Sequence, residues 1–237
     1  RRNCQTNMLS PMQSIATSWI DYILANQDQF LGLLVDHIRM VGIGEIIAIL
    51  IAVPAGILAT RDPRAARVIE SLGATAQTIP ALGVVALTFT FLGLGQRPTI
   101  LAIVIYAVFP ILKNTVAGIQ QVDESMVRAG RGMGMTNLQR LRRLELPYAL
   151  PVIFAGIRTS TVLCIGVAYI GVFVGSGGLG IWVQAGLTSV SYDIMLAGAI
   201  PGALTVLAFD QIFKYIEQAV TPEVIADDLE ADTNVAA

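Results

Sequence analysis

Charge is what this sequence has least of. Only 14% of its 237 residues are Asp, Glu, Lys or Arg, while 54% are hydrophobic; a soluble domain carries roughly 25% charged residues. Lysine is nearly missing. Lys113 and Lys214 stand alone and neither follows a glycine, so a phosphate-binding loop of the form G-x-x-x-x-G-K-[ST] is excluded. If ATP drives this protein, another chain binds it. His37 is the single histidine, and Cys4 and Cys164 are far apart in the chain, which argues against a Cys/His zinc centre, a Ser-His-Asp triad and a disulfide framework. No metal site and no catalytic residue are expected. A net charge of −2 provides no bulk field for nucleic acid. Arg1 and Arg2 are followed by polar residues and not by an apolar run, so no signal peptide is expected in these residues.

What is present is apolar sequence in long runs. A membrane-spanning helix needs about 20 mainly apolar residues. Five runs qualify, at about 40–59, 70–94, 98–119, 147–174 and 193–217, with Glu45, Lys113, Arg158, Asp193, Asp210, Lys214 and Glu217 among their few charges and Glu70 at the second run's start. The runs are continuous and not alternating, so helices are expected and not a barrel. The stretch from Thr159 to Tyr192 is too long for one straight span and breaks naturally at Gly175-Ser176-Gly177-Gly178-Leu179-Gly180. Prolines recur inside the runs, at Pro54, Pro80, Pro110, Pro151 and Pro201, as kinks that membrane helices tolerate or as hinges. Residues 1–39 form an N-terminal segment in which Ile15, Trp19, Ile20, Ile23 and Leu24 share a helical face, as in an interfacial helix. Residues 40–218 form the transmembrane domain. Residues 219–237 form an acidic tail with Glu223, Asp227, Asp228, Glu230 and Asp232, expected to be solvated.

Arginine sets the orientation. Arg61, Arg64 and Arg67 follow the first run, and Arg128, Arg131, Arg140, Arg142 and Arg143 follow the third. With five spans these loops share one side, and the positive-inside rule makes that side cytoplasmic. The N-terminus is then outside and the C-terminus inside.

The stretch DESMVRAGRGMGMTNLQRLRRLELPYALP, from Asp123 to Pro151, reads as a helix–turn–helix between two spans. Asp123 caps the first short helix. Gly130, Gly132 and Gly134 permit a close-approach turn. Thr136 and Gln139 have the spacing of a capping box and open a second helix. Leu146-Pro147 is expected to end that helix and begin the fourth span. An ordered connection of this length is unusual. It is either an amphipathic element held by anionic lipid or a rigid peg that fits a partner.

Gly-Met-Gly-Met at 132–135, Glu145-Leu146-Pro147, Leu150-Pro151 and Ala155 to Thr159 (AGIRT) together resemble the type I permeases of ABC importers. More narrowly, the chain resembles the subfamily for glycine betaine, carnitine, choline and related osmoprotectants. Gln77 to Leu82 (QTIPAL), Tyr106 to Asn114 (YAVFPILKN) and Val174 to Gly180 (VGSGGLG) add to the resemblance, which runs from about residue 40 to 218. It implies an all-α polytopic fold of five transmembrane helices with a cytoplasmic coupling helix in the loop 120–147. The ATPase-coupling residues would be Asp123, Met126, Val127, Arg128, Ala129, Gly130, Gly132, Met133, Gly134 and Met135, with Leu146 and Pro147 at the loop exit. The family pattern has Glu-Ala-Ala where this chain has Arg128-Ala129-Gly130, so an acidic residue is replaced by arginine. Two ATP-binding subunits, which would hold the ATP and magnesium, a second permease chain and an extracytoplasmic solute-binding protein are the implied partners, and alternating access is the implied mechanism. A permease for another small solute, such as an amino acid or an anion, and an ATP-independent channel or carrier remain alternatives.

Other residues need weighing singly. Gly175, Gly177 and Gly180 have G-x-G-x-x-G spacing, but without a βαβ unit they mark no dinucleotide site; with Gly178 they suit a tight outer turn or gate. Arg158 lies about 16 Å into the fourth span by helix rise, where a charge costs about 2.5–3.5 kcal/mol, and is expected to pair structurally. Glu45 is expected near the outer end of the first span, at a headgroup boundary or facing a substrate path. Tyr169, Trp182 and Tyr192 are candidate cation–π faces or interface aromatics. His37 is expected to be solvated or interfacial.

Overall fold

The computed structural model describes residues 18–76 and 78–220. The expectations for residues 1–17, for Gln77 and for the acidic tail from 221 onward fall outside those residues. Residues 18–25 are helical (α1). There follow α2 (Gln27–Ala59), α3 (Pro63–Ala76), α4 (Ala81–Leu92), α5 (Gln96–Gln120), α6 (Glu124–Gly132) and α7 (Asn137–Arg140). A π-helical turn (Leu141–Glu145) leads into α8 (Leu146–Ile170) and a 3-10 turn (Gly171–Val174), and α9 (Gly180–Ser189) and α10 (Tyr192–Val220) complete the order. No strand occurs among the described residues.

Four helical stretches are long and apolar enough to cross a membrane: Gln27–Ala59, Gln96–Gln120, Asn137–Val174 and Tyr192–Ala219. The run expected at 70–94 differs from the expectation of one continuous helix. It divides into α3 and the short apolar α4, and Pro80 (φ −61, ψ 131) stands extended at the start of α4. A proline supplies no N–H and pushes its predecessor out of the α region, so the apolar run cannot stay one helix there. The first helix also begins earlier than the run at 40. Leu31, Leu33, Leu34 and Val35 carry helix through the intervening polar positions, and α2 starts at Gln27.

The described residues pack as two units. One comprises residues up to Gly44, Pro80–Ile103 and Cys164–Leu207; the other comprises Glu45–Ile79, Val104–Leu163 and the residues from Ala208 on. In the first, Leu33, Leu179, Trp182 and Ala197 form a buried cluster. The Trp182 ring meets Tyr22 edge-on at 5.1 Å and Phe30 in a stack at 5.8 Å. Small residues allow the backbones to close up, as is usual between membrane helices. A Cβ on Gly198 would stand 2.9 Å from the Val183 nitrogen and 3.0 Å from the Trp182 Cβ. Thr88 donates its hydroxyl to the carbonyls of Val85 and Pro98, both at 2.9 Å.

The second unit follows the same rule. Ala59, Ala66 and Val116 form its buried cluster with Ala65 and Ile69 against it. Gly56 of α2 faces Thr115 of α5, and Gly156 of α8 faces Asn114 of α5, each so closely that a Cβ would meet the partner side chain at 2.7 and 2.6 Å. The expected pairing of Arg158 is present: its Nε donates to Asp210 Oδ1 at 2.7 Å and its Nη1 to Glu217 Oε2 at 3.5 Å. Asp210 and Glu217 stand two helical turns apart on one face of α10, so one arginine on α8 spans both. Gly156→Ala should lower stability by about 1–3 kcal/mol, because the added methyl overpacks the α5–α8 contact. Gly166→Ala, in open space on the same helix, should be neutral or stabilise by up to about 1 kcal/mol through helix propensity. Equilibrium unfolding in detergent, with both variants in parallel, measures the difference.

Candidate functional site

The segment from Asp123 to Glu145 lies wholly within the second unit. Asp123 opens it by accepting the Ser125 backbone N–H at 2.7 Å, which caps α6. That hydrogen bond, then the one with the Ser125 side chain, hold the Asp123 carboxyl below the usual aspartate range against a smaller upward push from desolvation, and the charge of Arg128 adds the least. On α6, Arg128 pairs with Glu124 one turn back at 3.2 Å, both largely exposed. Such a pair adds only about 0.3–0.5 kcal/mol, so both charges stay available. Met126 and Val127 are half-buried and Ala129 is exposed.

The three glycines of the turn have separate roles. Gly130 is the close-approach position: a Cβ there would stand 2.9 Å from Leu144 Cδ1, 3.3 Å from Met135 Sδ and 3.5 Å from Arg140 Cδ. Gly134 takes φ 77, the left-handed region where a side chain is strained. Gly132 sits in open space. Met133 is left 72% exposed and Leu138 56% exposed at the tip of the turn. The capping box read from Thr136 and Gln139 is formed in both directions: Thr136 N–H donates to Gln139 Oε1 at 2.8 Å, and Gln139 N–H donates to Thr136 Oγ1 at 3.3 Å.

Leu146 and Pro147 do not end a helix, contrary to expectation. Helix runs from Asn137 through the π turn to Ile170. The Leu146 N–H reaches Leu141 O, five residues back, and Pro147, which has no N–H to give, follows directly. The wider turn absorbs the lost donor without a break. Glu145, inside this turn, is almost fully buried. Its Oε2 receives Arg61 Nη2 at 3.2 Å, and its Oε1 lies 3.8 Å from Arg140 Nε. No local spacing in the sequence signals this cluster, because Arg61 and Glu145 are 84 positions apart.

In the first unit the glycine-rich turn is present. Gly175, Gly177 and Gly178 take φ of 71, 86 and 78, and the turn rests on α2. A Cβ on Gly177 would stand 3.2 Å from Asp36 Oδ2, and one on Gly178 would stand 3.1 Å from His37 Nδ1 and Met40 Cε. Gly180 belongs to α9 and lets it approach the Tyr169 carbonyl, 2.5 Å from a would-be Cβ. His37 is fully buried, not solvated, its ring 4.7 Å from that of Tyr169. The apolar surroundings of α2 enclose it because the turn folds over it.

Tyr169 donates its hydroxyl to Gly198 O at 2.7 Å, and Trp182 is 1% exposed. Tyr192 is exposed. A cavity of about 200 Å³ lies beside Tyr169, Phe173, Val183, Gln184 and Leu187. Glu45 belongs to the second unit, and Tyr169 and Trp182 to the first. Glu45 sits mid-helix, not at a helix end, is 4% exposed, and accepts a hydrogen bond from Ser160 of α8. Among the described residues no group of three or more His, Cys, Asp or Glu could hold a metal ion.

Residues 52–222 match the family described as binding-protein-dependent transport system inner membrane component. The chain belongs to this family, the permease component of ABC importers, and is a multi-pass inner-membrane protein. It is 36% identical over 203 residues to the choline transport system permease protein OpuBB of Bacillus subtilis, covering 86% of this chain and 94% of the relative. It is 41% identical over 182 residues to the carnitine transport permease protein OpuCB of Listeria monocytogenes, covering 77% and 84%. The osmoprotectant import permease protein OsmW of Salmonella typhimurium is 34% identical over 209 residues, covering 86% and 97%. The fold is similar to that of the MetNI methionine ABC transporter in an inward-facing form, with TM-score 0.72 and 20% identity over 84% of this chain and 99% of that one.

Two outcomes follow from this geometry. Gly178→Ala should reduce folded protein well below Gly132→Ala, since only the former combines a positive φ with contact to His37 and Met40; fluorescence-detected size exclusion of both variants measures it. Because the Asp123 acid is lowered in the folded chain, its cap on α6 is fully present above the ordinary aspartate range and is lost as pH falls through the lowered value. The protection factor of the Ser125 amide, referred to its intrinsic exchange rate at each pH, should therefore hold at neutral pH and fall only on strong acidification, and Asp123→Ala should abolish that dependence.

Proposed function

We propose that this chain is the membrane-spanning subunit of an ATP-driven importer for small quaternary-ammonium osmoprotectants such as glycine betaine, carnitine or choline. The relatives whose names specify choline, carnitine and osmoprotectants support the substrate class. In this reading there are five crossings, with the run 70–94, interrupted at Pro80, completing the four long helices. The Arg-rich loops face the cytoplasm, the N-terminal segment 1–39 begins outside, and the tail 219–237 ends inside. Two ATP-binding subunits hold the ATP and magnesium. A second permease, identical or paralogous, completes the path, and an extracytoplasmic binding protein delivers the solute.

The observation that carries the reading is the capped, glycine-turned segment 123–140, which presents exposed Met133 and Leu138 beside Arg128. It serves as the coupling helix: closure of the ATPase pair pushes it, and α8, continuous with α7 through the π turn, carries the displacement into the membrane. Where the family pattern has an acidic residue, Arg128 would meet a carboxylate on the ATPase. The Gly175–Gly180 turn serves as an outer gate. The enclosure of Trp182 and the hydroxyl bond of Tyr169 support packing roles for those rings, and the burial of Glu45 supports a helix-joining role beside Ser160.

The test is reconstitution in liposomes with the ATPase subunit and the loaded binding protein. Uptake of labelled glycine betaine or choline should require ATP. Gly134→Pro, which cannot adopt φ 77, should insert normally yet lose at least about tenfold of that uptake, a barrier change of about 1.4 kcal/mol. Uptake that persists without the ATPase subunit, or that is normal in Gly134→Pro, overturns the proposal.

A further inference from the structure

Glu145 is the one carboxylate within 4 Å of two arginine side chains from different segments of the described second unit: Arg61 beyond the end of α2 and Arg140 at the end of α7. Both Glu145 and Arg140 are more than nine-tenths buried. A buried ion pair adds little stability over an apolar replacement, so what it supplies here is one specific arrangement of the segments it joins. The π turn supplies a physical reason for the contact. On a continuous α-helix, positions five apart stand roughly 140° around the axis and face away from each other. The i→i+5 bonding of Leu141–Glu145 widens the turn and brings positions 140 and 145 to the same side. The same Arg140 lays its Cδ near Gly130 of α6.

We infer that Arg61, Glu145 and Arg140 form an ionic clamp that positions the coupling segment, so that displacement of α6 is delivered to the end of α2 as well as along α8. This rests on the proposed role of the 123–140 segment. Arg61 fixes the α2 end to one carboxylate oxygen. Arg140 fixes α7 to the other, and its stem buttresses Gly130. Without the clamp, α6 still docks, but its motion is no longer shared with α2. Glu145 is a positioning residue and touches neither solute nor nucleotide.

The readout is solute moved per ATP hydrolysed, in liposomes containing the complete complex. Glu145→Gln keeps the side-chain shape and removes the charge; it should lower that ratio at least fivefold. Arg61→Gln, at a half-exposed side chain, should lower it in the same direction even if Glu145→Gln fails to accumulate. The charge swap Arg61→Glu with Glu145→Arg should recover part of the ratio, which a merely structural loss would not do. A ratio unchanged from wild type in Arg61→Gln, or a swap that recovers nothing while each chain inserts at wild-type level, overturns the clamp. Wild-type uptake that needs no ATP would instead overturn the coupling role itself, and the two failures are thereby distinct.

Discussion

A charge inside an apolar helix must meet an opposite charge or a hydrogen-bond donor, and this requirement governs how the long helices of this chain can pack. Desolvation makes each such group costly alone. Arg158 on α8 therefore seeks α10, where Asp210 and Glu217 are two turns apart on one face. Glu45 on α2 seeks Ser160 on α8. Glu145 sits between Arg61 and Arg140. Apolar residues could be exchanged along these helices with modest loss. The few polar pairs cannot slide by a residue without stranding a partner, and so they fix register where lipid-like side chains would not.

Glycine and alanine determine how close the helices come once register is set. Gly56 against Thr115, Gly118 against the Ala149 carbonyl and Gly156 against Asn114 bring α5 into backbone-range contact with α2 and α8. Between membrane helices the driving force is close packing and not exclusion of water, so a methyl at such a point removes contacts that nothing else replaces. The same economy appears in the glycine turn. Gly177 and Gly178 serve both as left-handed residues and as the surface against which Asp36, His37 and Met40 lie.

The local chemistry of this fold was legible and the long-range chemistry was not. Asp123 as a cap and Thr136 with Gln139 as a box follow from spacing, because each capping side chain and the backbone N–H it accepts from are within a few residues of each other. The glycine turn at 175–178 follows from composition. Arg158 could be read as a charge in need of a partner, and the partner could not be named, since Asp210 lies 52 residues away. The burial of His37 is hidden from the sequence for a related reason. Its neighbours in sequence, Asp36 and Arg39, suggested a wet surface, while the group that covers it comes from Tyr169 and Gly178. The break at Pro80 is masked because the apolar run continues on both sides, and hydropathy does not register a missing N–H.

The π turn shows why a linear motif can be read correctly in its letters and wrongly in its shape. Glu145-Leu146-Pro147 looks like a helix end, since proline ordinarily stops a helix one residue earlier. Here the carbonyls that Pro147 leaves unserved lie in the turn already widened to i→i+5 bonding. The helix passes through, and the price is a rotated register on its N-terminal side. That rotation changes which residues of α7 face the rest of the unit: Arg140 turns inward to Glu145 and Gly130, while Leu138 and Gln139 turn outward. A strictly α-helical path would place Arg140 elsewhere and leave Glu145 with Arg61 alone. The exposed tip carrying Met133 and Leu138 is thus held in place by a buried carboxylate several residues away.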